Sequence, residues 1–298
     1  MNRRKFIYNS SIASLSVLGL NSCTQLFRDV KITILHSNDV HSQIEPFPVN
    51  HNRFPGRGGF ARRANIFNEI RSVNPNTLIF DAGDIFQGTP YFNFFQGELE
   101  LKLMKEMGYN AATIGNHEFD AGLDILKKNI LSTNFQFIIS NYDFVNTELE
   151  GLTTPYKIYK KEGIKIGVFG LGIELKGLVN PILYKETKYY DPIEISDEMV
   201  KILKDKQKCD LIICVSHLGH EYNSNKISDT KLAQLTSDID LIIGGHTHTF
   251  LNEPLITKNK KNKNVIINQV GRGGVYLGRI DFNFTNSSKN DTNSLLEV

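Results

Sequence analysis

The sequence predicts an α/β protein in which two β-sheets pack together and helices cover their outer faces. Short apolar runs typical of buried strands alternate with segments whose apolar residues recur at helical spacing, and two further regions have the pattern of β-hairpins. The chain has 298 residues, of which 40% are hydrophobic and 22% charged. It can therefore bury a core of ordinary size, and it fits one large domain better than two.

Five apolar runs predict buried strands. In chain order they are residues 32–35, 78–80, 111–114, 211–215 and 241–243. Each run is followed by side chains that can bind a metal ion, namely Asp39 with His41, Asp84, Asn116 with His117, His217, and His246 with His248. Ligands of open α/β sheets bind at the carboxyl ends of strands. The repeated placement therefore predicts one composite site and not five unrelated loops.

The remaining elements follow from spacing and turn residues. Helical spacing of apolar residues is found in residues 62–71, 99–107, 123–131 and 195–206. Residues 156–160 and 165–171 are expected to pair as a hairpin, and so are residues 265–270 and 275–284. For the intervening sequence Gly271-Arg272-Gly273-Gly274 we favour a hairpin turn over an anion site made of amides and a guanidinium. Residues 285–298 are rich in Ser, Asn, Thr and Asp and predict a mobile polar tail.

The first 22 residues have the organisation of an export signal. Residues 3–5 are basic, residues 12–20 are modestly apolar, and LNSC at residues 20–23 is similar to a bacterial lipoprotein processing box. We predict a signal peptide at residues 1–22 and a short linker at 23–30. A lipid on Cys23 would anchor the exported protein on the periplasmic side of a membrane or in the cell envelope. The RRKFI start is also similar to a twin-arginine signal, and the choice between that route and general secretion stays open.

Charge and cysteine content exclude several classes of function. A net charge of +2 gives no electrostatic reason to expect a nucleic-acid partner. The basic stretch at residues 258–263 lies between two apolar runs and predicts a solvated hairpin loop. Cys214 lies inside a predicted strand, where a thiol behaves as a small apolar side chain. We therefore expect neither a disulfide framework nor a thiolate metal site.

The residue types at the strand ends predict a pair of metal ions. Two ions about 3.5–4 Å apart can bind phosphate oxygens and stabilise an in-line displacement, and they need a bridging carboxylate. Asp84 follows a glycine, which permits a tight turn at the end of its strand. Asp39 and His41 are expected to point the same way, as are His246 and His248, because alternate residues of an extended segment share a face. Mixed imidazole, carboxylate and amide ligation suits manganese, zinc, iron or cobalt.

Together these motifs resemble the calcineurin-like metallophosphoesterase superfamily over roughly residues 31–284. ILHSND at residues 34–39, GGFAR at 58–62 and GNHEFD at 115–120 are closer to its 5'-nucleotidase branch. The resemblance implies a four-layer α/β/β/α sandwich of two mixed sheets flanked by helices. It also implies a hydrolase that uses two divalent metal ions and acts on phosphoesters, above all nucleotide phosphomonoesters.

The resemblance also implies which residues hold which ion. One ion would be held by Asp39, His41, Asp84 and His248. The other ion would be held by Asp84, Asn116, His217 and His246. His248 departs from many 5'-nucleotidases, which have glutamine at that place, and agrees with the wider superfamily. The departure removes no ligand.

The resemblance implies a catalytic role for His117, which would stabilise the transferring phosphoryl group or protonate the leaving oxygen. Asp120 lies three residues later and could accept the other ring proton of His117. The alternative, in which His117 is a further nitrogen ligand, stays open. For His36 and His220 we expect packing or support of the ligands, and for His51 a surface position.

Bacterial 5'-nucleotidases of this type usually continue into a second domain that binds the base and the phosphate. We expect this chain either to act alone on small or varied phosphoesters or to work with a separate polypeptide that corresponds to that domain. Alternatives within the superfamily are hydrolysis of a cyclic nucleotide, a nucleotide sugar or a sulfur ester. A non-catalytic metal-binding lipoprotein is the alternative from another class, and the presence of His117, Asp120 and every ligand argues against it.

Overall fold

Two six-stranded β-sheets form the centre of the protein. The computed structural model describes residues 29–285 and 289–298. The described strands are β1 (Val30–Ser37), β2 (Thr77–Asp81), β3 (Ala111–Ala112), β4 (Gln136–Phe137), β5 (Tyr142–Asp143), β6 (Tyr156–Lys161), β7 (Ile164–Leu171), β8 (Lys188–Tyr189), β9 (Leu211–Ser216), β10 (Leu241–Ile243), β11 (Leu255–Lys258), β12 (Asn264–Asn268), β13 (Tyr276–Phe284) and β14 (Lys289–Glu297). The first sheet has the order β14-β13-β1-β2-β3-β4, and the second has the order β11-β12-β10-β9-β7-β6.

Helices cover the outer faces of the sheets. They are α1 (Phe60–Val73), α2 (Pro90–Phe95), α3 (Glu98–Met107), α4 (Leu123–Ser132), α5 (Pro181–Tyr184), α6 (Pro192–Val200) and α7 (Asp229–Leu235). A 3₁₀ turn spans His117–Phe119, and a π-helical turn, Lys201–Lys206, continues α6. The four helices predicted from apolar spacing are confirmed. The local sequence explains where α6 begins. The Asp191 side chain accepts hydrogen bonds from the amides of Ile193 and Glu194 and thereby caps the helix.

Three apolar layers separate four layers of backbone. Ile34 of the first sheet and Ile213 of the second lie in the layer between the sheets. The next residue of the first strand, Leu35, belongs to the layer under the helices of the first sheet, and Ile212 belongs to the corresponding layer of the second sheet. Both faces of these strands are buried, which explains their nearly continuous apolar sequences. The predicted α/β/β/α sandwich is confirmed.

Parallel pairing brings the carboxyl ends of distant strands to one edge. β1 pairs in parallel with β2, and β2 with β3, so that Ser37 lies beside Asp81 and Asp81 beside Ala112. In the second sheet β9 pairs in parallel with β10, and Val215 lies beside Ile243. β3 is shorter than the predicted strand at residues 111–114. The polar residues that follow these strands therefore emerge at one end of the sandwich.

One predicted hairpin is confirmed and the other is wrong. β6 and β7 pair antiparallel around Glu162 and Gly163. β12 and β13, however, belong to different sheets: β12 pairs with β10 and β11, and β13 pairs with β1 and β14. Residues 271–274 are therefore a crossover between the two sheets and not a hairpin turn. Seven register pairs with β1 hold β13 in the first sheet, a long-range pairing that the local turn sequence does not encode.

The prediction of a mobile polar tail at residues 285–298 is also wrong for its main part. Lys289–Glu297 forms β14, which pairs with β13 along its whole length. Most side chains of β14 are exposed, as suits an edge strand that relies on backbone hydrogen bonds. The terminal Val298 is buried, and its amide donates to the carbonyl of Val275. The polar composition thus reflects an edge position and not a lack of structure.

The predicted signal peptide at residues 1–22, Cys23 and most of the linker at 23–30 lie outside the described residues. Among the residues that the structure describes, no helix combines the length and the apolar character needed to cross a membrane. Cys209 and Cys214 are buried and free.

Candidate active site

The predicted ligands lie on turns that directly follow the strands. Five of them have left-handed backbone geometry: Asp39, His41, Asp84, His246 and His248 have φ between 49° and 72°. Such geometry is uncommon outside glycine, and its clustering at one place is typical of functional sites. It also corrects one expectation, because Asp39 and His41, like His246 and His248, lie in tight turns and not in extended segments. The turns bring each pair together instead.

A first donor cluster consists of Asp39, His41, Asp84 and His248, whose ligand atoms all lie within 4.8 Å of one another. The Nε2 atom of His248 lies 3.4 Å from Oδ1 of Asp39 and 2.9 Å from Nε2 of His41. Both carboxylates are buried, whereas His41 and His248 are partly exposed at the mouth of the site. The first cluster therefore joins β1, β2 and the segment after β10.

The protonation of His41 tests whether this cluster suits a metal ion. Its Nδ1 atom lies 3.1 Å from the carbonyl oxygen of Gln87 and 3.3 Å from that of Phe86. Carbonyl oxygens only accept, so Nδ1 carries the hydrogen and Nε2 of the neutral ring presents a lone pair. That lone pair lies close to His248 and Asp39, two further predicted metal ligands. A cation between these atoms satisfies all of them, and the donor set therefore fits a divalent ion.

A second donor cluster consists of Asp84, His217 and His246. Oδ1 of Asn116 lies 2.9 Å from Nδ1 of His246 and adds an amide oxygen to the cluster. Nε2 of His217 is buried and has no hydrogen-bond partner among the described residues, although it lies 3.0 Å from Oδ2 of Asp84. Asp84 belongs to both clusters. The structure thus brings all seven predicted metal ligands together around one shared carboxylate.

The electrostatic field of the site favours positive charge beside Asp84. Burial by itself lowers the pKa of His217, but the carboxylates of Asp84 and Asp39 outweigh burial and raise this pKa to about 10. Burial likewise acts to raise the pKa of Asp84, and His217 outweighs it and holds that pKa well below its usual range. Burial, followed by repulsion from His217, lowers the pKa of His246 to about 3. His246 is therefore neutral at pH 7, as a metal ligand must be.

His117 and Asp120 lie beside the two clusters as a hydrogen-bonded pair. Nδ1 of His117 is 2.7 Å from Oδ2 of Asp120, and the backbone amide of His117 donates to Oδ1 of Asp84 over 2.9 Å. Burial acts to lower the pKa of His117, but the hydrogen bond to Asp120 and the charge of Asp84 outweigh it and raise this pKa. Neither donor cluster of the described chain includes His117. The arrangement suits proton transfer better than metal ligation.

A cavity of about 320 Å³ opens in front of the first cluster. His41, His117 and His248 line it, and so do Arg272 and Gly273 of the crossover loop. The predicted hairpin turn at residues 271–274 is therefore part of the candidate site. The position of this loop in the cavity wall favours the alternative considered for it, an anion site, over a plain hairpin turn.

Glu118 is a site residue that the sequence interpretation missed. Its fully buried carboxylate accepts hydrogen bonds from the amides of Asp84, Ile85 and Gly115 over 2.6–2.9 Å, and from Phe86 over 3.3 Å. These bonds tie the turn after β2 to the turn after β3. The sequence GNHE at residues 115–118 contains this glutamate beside the predicted ligand Asn116, but the local sequence does not indicate that its carboxylate binds amides of two separate turns.

Close backbone approach explains two glycines of the site. A Cβ atom on Gly115 would lie 2.3 Å from Oδ1 of Asp84, and one on Gly245 would lie 2.8 Å from Nδ1 of His217.

The other three histidines behave differently from the ligands. His36 is buried beside Asn268, His220 is half-buried, and His51, for which we expected the surface, is only partly exposed and accepts a hydrogen bond from the amide of Phe54.

Comparisons with known proteins agree with the fold and the site. A family model for calcineurin-like phosphoesterases matches residues 32–250. The snake venom 5'-nucleotidase of Gloydius brevicauda is 32% identical over 85% of this chain and 45% of its own length. The 5'-nucleotidase of Vibrio cholerae is 34% identical over 87% of this chain and 50% of its own length.

Among solved structures, the 5'-nucleotidase precursor from Thermus thermophilus has a TM-score of 0.80 and 29% identity, over 90% of this chain and 55% of that one. The chain thus spans about half the length of these relatives. The matched family uses two divalent metal ions, for which the two donor clusters form a candidate site. The match over residues 32–250 shows that the chain belongs to the calcineurin-like phosphoesterase family.

Proposed function

We propose that the protein is a phosphoester hydrolase that depends on two divalent metal ions and acts on nucleotide phosphomonoesters, as a 5'-nucleotidase does. The observation that carries this proposal is the convergence of two donor clusters on Asp84, beside the His117–Asp120 pair and a cavity. The names of the relatives in Gloydius brevicauda and Vibrio cholerae support the nucleotide substrate.

We assign each metal position to the residues that the structure brings together. Asp39, His41, Asp84 and His248 would hold one ion, and Asp84, Asn116, His217 and His246 would hold the other. Ions bound there would neutralise charge on the phosphoryl oxygens and stabilise an in-line displacement. Because the segments after β1, β2, β3, β9 and β10 would all contribute donors, both sheets would set the spacing of the two metal positions.

His117 is assigned the role of general acid toward the leaving oxygen. Its Nδ1–H donates to Asp120, which fixes the ring and leaves Nε2 to carry the transferable proton. The raised pKa of His117 favours the protonated ring before the reaction. Asp120 acts through His117 and is therefore a positioning residue.

Metal analysis joined to a substrate series tests the proposal. The purified protein is analysed for bound metals and then assayed on AMP, a cyclic nucleotide, a nucleotide sugar and an aryl phosphate. We expect two ions per chain and the highest kcat/KM on AMP. A clear preference for the cyclic nucleotide or the nucleotide sugar would replace the proposed substrate class. If the metal-loaded protein hydrolyses none of the four substrates, the proposal that it is a phosphoester hydrolase is wrong.

We further propose that the protein works outside the cytoplasm with a lipid on Cys23. The basic, apolar and LNSC segments at residues 1–23 support this location. Labelling of cells with an alkyne fatty acid tests it: wild-type protein should take up the label, and the Cys23→Ser variant should not. Equal labelling of both would refute the lipid anchor.

A further inference from the structure

The crossover loop at residues 271–274 is fixed directly against the first donor cluster. The amide of Gly273 donates to the carbonyl oxygen of Asp39 over 2.8 Å. The side chain of Asn38 donates to the carbonyl oxygen of Gly271 over 2.6 Å and accepts from the amide of Val270 over 3.0 Å. The loop is thus tied to the same turn that carries a predicted metal ligand, and its position relative to the site is set by short hydrogen bonds.

Aromatic rings hold the loop from its other side. A Cβ atom on Gly271 would lie 2.2 Å from the ring of Phe250, and one on Gly273 would lie 2.8 Å from the ring of Phe47. These two glycines have φ of 77° and 69°, which other residues rarely adopt. Arg272 lies between them and has no such backbone requirement. The two glycines therefore fix the backbone of the loop, and the turn itself does not require an arginine side chain at residue 272.

Arg272 lies in the wall of the cavity and has an exposed side chain without a partner among the described residues. It lines the same cavity as His41, His117 and His248. Its side chain is exposed, and no hydrogen bond or ion pair joins it to another residue in the described part of the chain. A guanidinium placed beside a site for two divalent cations is repelled by them unless an anion lies between. The phosphoryl group of the proposed substrate is an anion that can lie there.

We propose that Arg272 binds the phosphoryl oxygens of the substrate and of the product phosphate. The planar fork of a guanidinium matches two oxygens of a phosphoryl group. The inference deepens the proposed function and rests on it, because the anion is the one that the two metal positions would hold. It makes Arg272 a substrate-binding residue contributed by the catalytic domain itself.

Binding of inorganic phosphate tests this role without relying on turnover. Calorimetry of the metal-loaded full chain is compared for wild type, Arg272→Gln and Arg272→Lys. Loss of a charge-assisted pair of hydrogen bonds should weaken phosphate binding by roughly 10- to 100-fold in Arg272→Gln. Arg272→Lys should recover part of this loss, because it restores the charge without the fork. Lys157→Gln removes one positive charge from the exposed side of β6 and should bind phosphate as wild type does.

Three results would overturn the role of Arg272. They are equal phosphate affinity in Arg272→Gln and wild type, no phosphate binding by metal-loaded wild type, and loss of bound metal in Arg272→Gln, which would make the residue structural. Failure of the proposed nucleotide substrate looks different. In that case AMP is not hydrolysed, while wild type still binds phosphate and Arg272→Gln binds it more weakly.

Discussion

The Nε2 atom of His217 lies 3.0 Å from the Oδ2 atom of Asp84, and both side chains are buried. The other ring nitrogen, Nδ1, lies 2.6 Å from the carbonyl oxygen of Ala82. A carbonyl only accepts, so Nδ1 carries a hydrogen. The carboxylates of Asp84 and Asp39 outweigh burial and raise the pKa of His217 to about 10, so without a metal ion Nε2 also carries a hydrogen, which faces Asp84. Positive charge between the ring nitrogen and the carboxylate is thus favoured, and a metal ion would replace the proton there. The backbone at the end of β2 therefore fixes a cation position between β9 and Asp84.

Asp84→Asn should reduce the metal content of the protein at both positions. The substitution keeps the shape of the side chain and removes the charge that both donor clusters share. We expect elemental analysis to fall from two ions per chain to one or fewer, and kcat/KM to fall with it. Asp238→Asn is the matched control, because Asp238 pairs with Lys261 and Lys263 away from the site. Two retained ions in Asp84→Asn would show that Asp84 is not the shared ligand.

His117→Ala should separate catalysis from metal binding. If His117 transfers a proton, its removal leaves both donor clusters intact and lowers turnover by roughly 100-fold or more, the scale of general acid–base catalysis. Elemental analysis and kcat are measured on the same preparation. Asp120→Asn should lower kcat less, because the ring stays in place without its acceptor. Loss of an ion in His117→Ala would instead make His117 a ligand, the alternative that the sequence left open.

The composite site could be predicted because its residue types follow buried strands. Apolar runs on both faces mark parallel strands, and parallel strands of one sheet end together. Asp39 and Asp84 therefore converge at the end of the first sheet, as His217 and His246 do at the end of the second. The helical segments could be predicted for a similar reason, since each has one apolar face. In each case the pattern of apolar residues lies within the segment itself and does not depend on which strand or helix the segment packs against.

The parts that the sequence did not predict depend on pairing over long distances. β14 is polar because it is an edge strand, and its order comes from backbone hydrogen bonds to β13. The glycines around Arg272 match a hairpin turn as well as a crossover, and only the pairing of β13 with β1 decides between them. The role of Glu118 depends on amides from two separate turns. No local pattern contains that information.

Glu118→Gln should destabilise the protein although it removes only a charge and one acceptor. Both carboxylate oxygens of Glu118 accept from backbone amides, so one end of the glutamine would place N–H donors against N–H donors. Leaving such buried groups unsatisfied costs about 1–3 kcal/mol. Urea unfolding of the two proteins measures the loss. Glu69→Gln, an exposed position on α1, is the control and should change the free energy of unfolding by less than about 0.5 kcal/mol. Equal stability of Glu118→Gln and wild type would rule out this connection between the two turns.

Asp229 should make the free energy of unfolding depend on pH. Oδ1 of Asp229 accepts from the hydroxyl of Ser216 over 2.5 Å, and Oδ2 is buried without a partner among the described residues. Burial raises the pKa of Asp229 from 3.8 to about 8. The folded protein therefore keeps this proton up to about pH 8, whereas the unfolded chain releases it near pH 4. Between these pH values the folded state binds more protons, so stability falls as pH rises.

Asp229→Asn cannot ionise and should lack this part of the pH dependence. Urea unfolding of the metal-free forms at about pH 5 and about pH 8 compares the two proteins under matched conditions. We expect wild type to lose about 1 kcal/mol or more relative to the variant over this interval, since one unit of pKa difference corresponds to about 1.4 kcal/mol. Parallel pH profiles would mean that Asp229 is already ionised in the folded protein. The Ser216 hydroxyl, and not burial, would then control its charge.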